Sequence, residues 1–202
     1  IMPSLVGSEM CIRDRLEPVL EALGLRFRIT SSPSEARRSL MVLPGAVFPT
    51  PDVQHALMVN RVAHYPAGIV DGRSVLGPLV VPGVTPCLAC ADSYYGQIDD
   101  GWCGVRLQAT GRPGSTERHL IQAASTQLAM MVNEHVLPWW RAQREFIRMR
   151  LKARVQQEAP PEVPAIPEVL TQRRLVDFAT GAAHTYQVPF DDNCLSCRAV
   201  RV

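Results

Sequence analysis

Two Cys-x-x-Cys units, Cys87-Leu88-Ala89-Cys90 and Cys194-Leu195-Ser196-Cys197, restrict this chain more than any other feature of its sequence. Four thiolates make the closed tetrahedral set that a structural zinc ion takes. A two-residue spacer lets each pair turn both sulfurs toward one point about 2.3 Å away. A redox centre would need only one pair, with a thioredoxin-like βαβ pattern around it. Disulfides would need an oxidising compartment and suit short secreted chains. The spacing therefore predicts one zinc site, which closes residues 91 to 193 into a loop and fastens the C-terminal segment to the middle of the chain. With every position filled by protein, such a site stabilises the fold and leaves no opening for catalysis.

A chain of 202 residues, 47% hydrophobic and 20% charged, can bury one core, alone or with an appendage. Its formal charge of +2 is too small to indicate nucleic acid. Pro, Gly or charge interrupts each apolar run before it reaches the length of a membrane span. No secretory signal is evident, so the expected compartment is the cytoplasm, where thiols stay reduced and can hold metal.

Residues 4–15 resemble a translated transposon-end adapter of the kind used to prepare sequencing libraries, so residues 1–15 are set aside from the fold and Cys11 from the ligands. On that reading the native N-terminus is missing and the interpretable domain runs from 16 to 202. Leu16, Val19, Leu20 and Leu23 recur at helical spacing before Gly24. Leu25 to Ile29 alternates as a half-buried strand. Ser39 to Leu43 reads as a fully apolar strand, and Thr50-Pro51-Asp52 opens a helix that runs on through Val62. Ala67–Val70 and Val75–Val81 read as strands around an Asp71-Gly72 turn. Strand, helix, strand in this order predicts an α/β sheet.

Asp92 to Gly114, rich in Gly and Asp, reads as a loop. Ser115-Thr116 is expected to cap a long helical region over about 116–157, broken or kinked at Pro138. Its second half carries Arg141, Arg144, Arg148, Arg150, Lys152 and Arg154, which read as a solvated face, with a partner or nucleic-acid surface as the alternative. Residues 159–167 hold four prolines and form an extended spacer. Arg174–Phe178 and His184–Val188, around Thr180-Gly181, read as a hairpin that delivers the chain to Cys194. His64 and His119 read as structural or exposed, Asp71 as a turn residue, and Trp139-Trp140 as the closure of a core edge.

With these elements placed, the run Gly77-Pro78-Leu79-Val80-Val81-Pro82-Gly83-Val84-Thr85-Pro86-Cys87-Leu88-Ala89-Cys90 becomes familiar. So do Asn133-Glu134-His135 and Leu175-Val176-Asp177-Phe178-Ala179-Thr180-Gly181 ahead of Cys194 and Cys197. The chain resembles the C-terminal half of the ThiF/MoeB/HesA family, bacterial relatives of ubiquitin-activating enzymes, over roughly residues 39–202. The resemblance implies the C-terminal portion of a ThiF-like mixed sheet flanked by helices. It also implies zinc on Cys87, Cys90, Cys194 and Cys197. The parent activity it implies is ATP-dependent and Mg-dependent adenylylation of the C-terminal carboxylate of a small carrier protein, by a protein that can form a homodimer.

Two departures bear on mechanism. The family cradles ATP phosphates on a Gly-rich strand-to-helix turn, and no such turn occurs here. Its magnesium-binding Asp ends the strand that aligns with Leu40–Leu43, where this chain reads Pro44-Gly45-Ala46-Val47. Taken alone, then, the chain is expected to be inactive. Some family members carry a reactive thiol about a dozen residues beyond the first zinc pair, which makes Cys103 a candidate catalytic nucleophile. Asp99 and Asp100 precede it and disfavour a thiolate, with Arg106 as a potential counter-charge, so an incidental cysteine is the simpler reading.

A second branch of the family, the azoline-peptide cyclodehydratase partner proteins, keeps the ThiF-like domain without ATP chemistry and binds a precursor's leader peptide. Its loop after the zinc pair often carries an Asp-x-x-Trp-like run, similar to Asp99-Asp100-Gly101-Trp102. A zinc-ribbon nucleic-acid module would account for the cysteines and the arginines. It would not account for the long apolar strands and helices.

Overall fold

The computed structural model describes residues 12–30, 32–37, 39–112, 114 and 117–200. Helix α1 (Ile12–Ala22) buries Ile12, Leu16 and Leu20, the helical spacing seen in the sequence carried back to its first residue. Residues 12–15, set aside as adapter-like, form its first turn. Residues 1–11, with Cys11, lie outside the described residues. The segment expected as a strand at Leu25–Ile29 pairs with no strand among the described residues. Leu25 and Phe27 turn inward against the core while Arg26 and Arg28 stay exposed, so the alternation is present without a ladder.

Strand β1 (Leu40–Pro44) is buried on both faces, as a parallel strand requires. Met41 and Leu43 point to one side, with Leu57 and Val62; Val42 points to the other, with Leu128. Helix α2 (Pro51–Val59) starts at Pro51 behind Thr50 and carries the chain over to β2 (Ala63–Val70), parallel to β1. β2 is four residues longer at its start than its sequence suggested, because Pro66, which has no N–H to donate, still accepts from the N–H of Gly77. Asp71 and Gly72 both adopt positive φ, which gives the tight turn into β3 (Arg73–Leu76). Beyond Leu76 the expected strand is interrupted at Gly77-Pro78. Only Val80 returns to the sheet, exchanging two hydrogen bonds with His64.

The stretch Asp92–Gly114, read as a loop, instead holds most of α3 (Leu88–Ile98) and all of α4 (Trp102–Ala109). The predicted caps Ser115 and Thr116 lie outside the described residues. Helix α5 (Arg118–Met131) follows Glu117 and buries Ile121, Ala124, Ser125, Leu128 and Ala129 along one face. A single wide π-turn, Val132–Val136, then leads into α6 (Leu137–Gln156). Pro138 cannot donate to a carbonyl one turn back, and the helix widens just before it, with the Leu137 N–H reaching Val132 O. Arg141, Arg144, Arg148, Arg150 and Arg154 on α6 are all exposed. No helix among the described residues is long and apolar enough to cross a membrane.

The proline spacer carries no regular element and ends at α7 (Glu168–Thr171). β4 (Gln172–Asp177) and β5 (Ala183–Gln187) complete a five-stranded mixed sheet in the order β1-β2-β3-β4-β5, antiparallel from β2 onward. The Asp177 carboxylate accepts from the N–H groups of Ala179 and Thr180 and so shapes the β4–β5 turn. Helices α1 and α5 cover one face of the sheet. α2, α3, α4 and α8 (Leu195–Arg198) gather on the other.

Candidate functional site

Both cysteine pairs are placed by the same local device. Cys87 is the N-cap of α3 with Cys90 in its first turn, and Cys194 is the N-cap of α8 with Cys197 in its first turn. An N-cap residue and the third residue of the helix project from the same end, so each pair presents two sulfurs together. The two pairs meet with sulfur separations of 3.5 Å for Cys87–Cys194, 3.5 Å for Cys90–Cys197 and 3.8 Å for Cys87–Cys90. All four ligand atoms lie within 4.8 Å of one another. A tetrahedron with arms of 2.3 Å has edges of about 3.8 Å, so the gap suits a thiolate-bound ion of that size.

The four cysteines are buried, and Met58, Val80, Leu88, Ala91, Val188 and Val200 form a dry shell around them. The hydrogen bond from Cys87 lowers Cys90 to about 5. That same bond, together with burial, pushes the Cys87 thiol far up, and burial raises Cys197 to about 11. Without a cation the thiolate is therefore favoured at Cys90 and disfavoured at Cys87 and Cys197. A divalent ion reverses that balance by compensating the thiolate charges directly.

Cys103 does not join this cluster. It sits exposed on α4. Arg106, considered as its counter-charge, is committed elsewhere: its guanidinium meets Asp92 at 2.8 Å, donates to Pro49 O and lies over the Phe48 ring at 5.2 Å. His64, read as structural, is buried with Nδ1 2.9 Å from Val62 O.

The carboxyl ends of the two parallel strands, where nucleotide sites of α/β sheets form, border a cavity of about 390 Å³. Gly45, Val47, Phe48, Ile69 and Val70 supply its walls from the strand ends, and Val105 and Ala109 supply its roof from α4. Asp71 is the sole carboxylate among its lining residues. Val47 leans across β2 so closely that a Cβ on Gly68 would lie 2.5 Å from Val47 Cγ2. Hydrocarbon therefore stands at the end of β1, against the glycine of β2.

Sequence reading missed an aromatic cluster beside this cavity. Trp102 packs on Tyr95 at 4.8 Å between ring centroids and edge-on to Phe48 at 5.6 Å, and Tyr186 closes on Tyr95 at 6.4 Å. The signal available was the seven-residue separation of Tyr95 and Trp102 across the short α3–α4 break. It is visible only once that segment is taken as helical.

No protein-family profile and no curated sequence matches the chain. Solved structures do. A heterocyclase in complex with substrate and cofactor superimposes with a TM-score of 0.63 at 17% identity, over 95% of this chain and 24% of its own. The heterocyclase TruD gives a TM-score of 0.60 at 17% identity, over 97% of this chain and 26% of its own. MccB from E. coli, solved with ATP, gives 0.43 at 18% identity, over 79% and 40%. The chain thus spans about a quarter of the length of the two heterocyclases, and it shares the fold of that quarter.

Proposed function

We propose that this chain is the zinc-fastened, non-catalytic ThiF-like part of a heterocyclase-type peptide-modifying system, and that it binds the leader segment of a precursor peptide. The observation that carries the reading is the carboxyl end of β1. Pro44 to Phe48 offers no carboxylate, and Val47 fills the approach to β2 against Gly68. A fold of this type without that carboxylate lacks the β1-end ligand on which adenylylation would hold its magnesium. The match of nearly the whole chain to a quarter of each of two heterocyclases supports the same direction. In that setting nucleotide chemistry belongs to other parts of the assembly and this part supplies recognition.

Zinc on Cys87, Cys90, Cys194 and Cys197 has a structural role in this reading: it ties the segment after β5 to the start of α3. The donor set fits, being four buried sulfurs at tetrahedral spacing with no open position. Cys103 then has no catalytic task. The test pairs two measurements on the same preparation. Calorimetric titration with precursor leader peptides should give saturable binding, while ATP with magnesium should give neither heat nor pyrophosphate exchange with any carrier protein. Tight ATP binding or exchange would return the chain to the activating enzymes.

A further inference from the structure

A second cavity, of about 260 Å³, opens between α3–α4 and the sheet face formed by β3, β4 and β5. Arg173 and Tyr186 are directly paired across β4 and β5 and so share this face, with Leu175 two residues along. Tyr95 and Trp102 close it from the helices. Arg173 is 4% exposed, an uncommon place for a guanidinium without a carboxylate. Its Nε donates to Gly77 O at 3.2 Å and its Cζ lies 5.5 Å over the Tyr95 ring. No ion pair joins it to any acid among the described residues, and Asp92 in its vicinity is engaged by Arg106 at 2.8 Å. Two further polar atoms on the residues lining this cavity are shielded from solvent: Trp102 Nε1, which has no hydrogen-bond partner, and Tyr95 Oη, whose hydrogen-bonding neighbour is the Arg173 guanidinium. Indole N–H and the guanidinium Nη groups can only donate, and a phenol O–H can donate as well, so the guest that suits these atoms is an acceptor.

We infer that this cavity is a recognition pocket for an acidic side chain of a bound peptide, with Arg173 at its charged base and Tyr95 and Trp102 as its aromatic walls and auxiliary donors. The inference rests on the peptide-binding reading above and names what the site selects. A glutamate suits it by shape and charge: its methylenes lie against aromatic and aliphatic walls, and its carboxylate answers a buried guanidinium that no carboxylate of the described residues pairs. The rim acids do not substitute for it. Asp71 and Asp99 are exposed, and Asp99 Oδ1 already accepts from the Gly101 N–H at 2.8 Å. The rim cation Arg73 is held by Asp177 at 3.2 Å. Exposed charges of this kind are screened by solvent, whereas the buried guanidinium is not, so Arg173 decides the sign of the guest. Passing two rim carboxylates favours the longer reach of glutamate over aspartate.

The test uses heptapeptides capped by acetyl and amide groups, identical except for Glu, Gln, Asp or Lys at the centre, titrated into the whole chain by calorimetry. The Glu peptide should bind at least tenfold more tightly than the Gln peptide, and this preference should survive 0.5 M salt. Tyr95→Phe removes a hydroxyl whose neighbour, the Arg173 guanidinium, keeps its bond to Gly77 O. The variant should therefore melt close to the parent and yet bind the Glu peptide severalfold more weakly. A merely structural tyrosine would not separate these two readouts. Arg173→Gln should abolish the Glu-over-Gln preference. Equal affinity for Glu and Gln peptides, or capture of a free C-terminal carboxylate with no response to capped Glu, overturns the inference. A precursor leader that binds with unchanged affinity to Tyr95→Phe and Arg173→Gln overturns the pocket and leaves the proposed function standing. Failure of every peptide to bind removes both.

Discussion

The sulfurs of Cys87 and Cys194 stand 3.5 Å apart although 107 positions of sequence separate the two residues. A contact of that range carries a large loop-closure cost, and a metal–thiolate cluster is the strongest local device on the chain for meeting it. Cys194→Ser should therefore drop bound zinc from one per chain to well below that, measured by elemental analysis. The melting temperature should fall by about 10 °C or more, the effect of losing roughly 3 kcal/mol or more from a chain of this size. If the variant keeps full zinc and the parental melting temperature, the four cysteines do not act as one site.

Cys103 gives the matching control. It is exposed on α4 while the other four described cysteines are buried in their own shell. Iodoacetamide applied to zinc-loaded protein should modify Cys103 and spare Cys87, Cys90, Cys194 and Cys197 in peptide mapping. A chelator should then open those four to labelling. Cys103→Ser should change neither zinc content nor leader-peptide affinity. A loss of peptide modification in an assembled system carrying Cys103→Ser would assign the thiol a chemical role.

The cysteine spacing, the β1–α2–β2 order and the Asp71-Gly72 turn were legible because each follows from local rules: thiol spacing, apolar runs, and two consecutive positive φ angles. What escaped was decided by partners remote in sequence. Leu25–Ile29 has strand alternation but no strand beside it. α4 has no buried residue, and nothing in its composition marks a helix. Its attachments are the Asp92–Arg106 pair at 2.8 Å and the packing of Trp102 on Tyr95 and Phe48. Arg173 was hidden differently. Arg173 and Arg174 look equivalent in sequence, yet strand alternation puts Arg173 in phase with Leu175 on the α3–α4 side, which leaves Arg174 facing the other way. The direction of that segment became readable only when its pairing was known.

The hydrocarbon contact at the end of β1 can be tested by a cycle. Gly68→Ala places a methyl 2.5 Å from Val47 Cγ2, so one of the two must move. Overpacking of this kind costs about 1–3 kcal/mol. Val47→Ala vacates the space, so the double variant should recover most of what Gly68→Ala loses, measured by urea denaturation. Additive losses would mean that Val47 does not close on β2 in solution. Nucleotide affinity of the double variant then reports whether removing Val47 is enough to reopen the strand-end cavity; without a carboxylate at the end of β1, none is expected.

His64 supplies a pH dependence whose sign is fixed by its burial. Loss of hydration lowers its pKa from 6.5 to about 4, and the hydrogen bond between Nδ1 and Val62 O offsets that only in part. Between those two values the unfolded chain binds a proton that the folded chain refuses, so stability is complete above about pH 6.5 and declines as pH falls toward 4. The full decline from this one residue is roughly 3 kcal/mol. His64→Gln has no such titration and should show a shallower loss of stability over the same interval, in urea melts run in parallel. The cysteine cluster also takes up protons in acid, but it is common to both proteins and cancels in the difference. Parallel curves for parent and variant would mean that His64 is reached by solvent and titrates alike in the folded and unfolded chains.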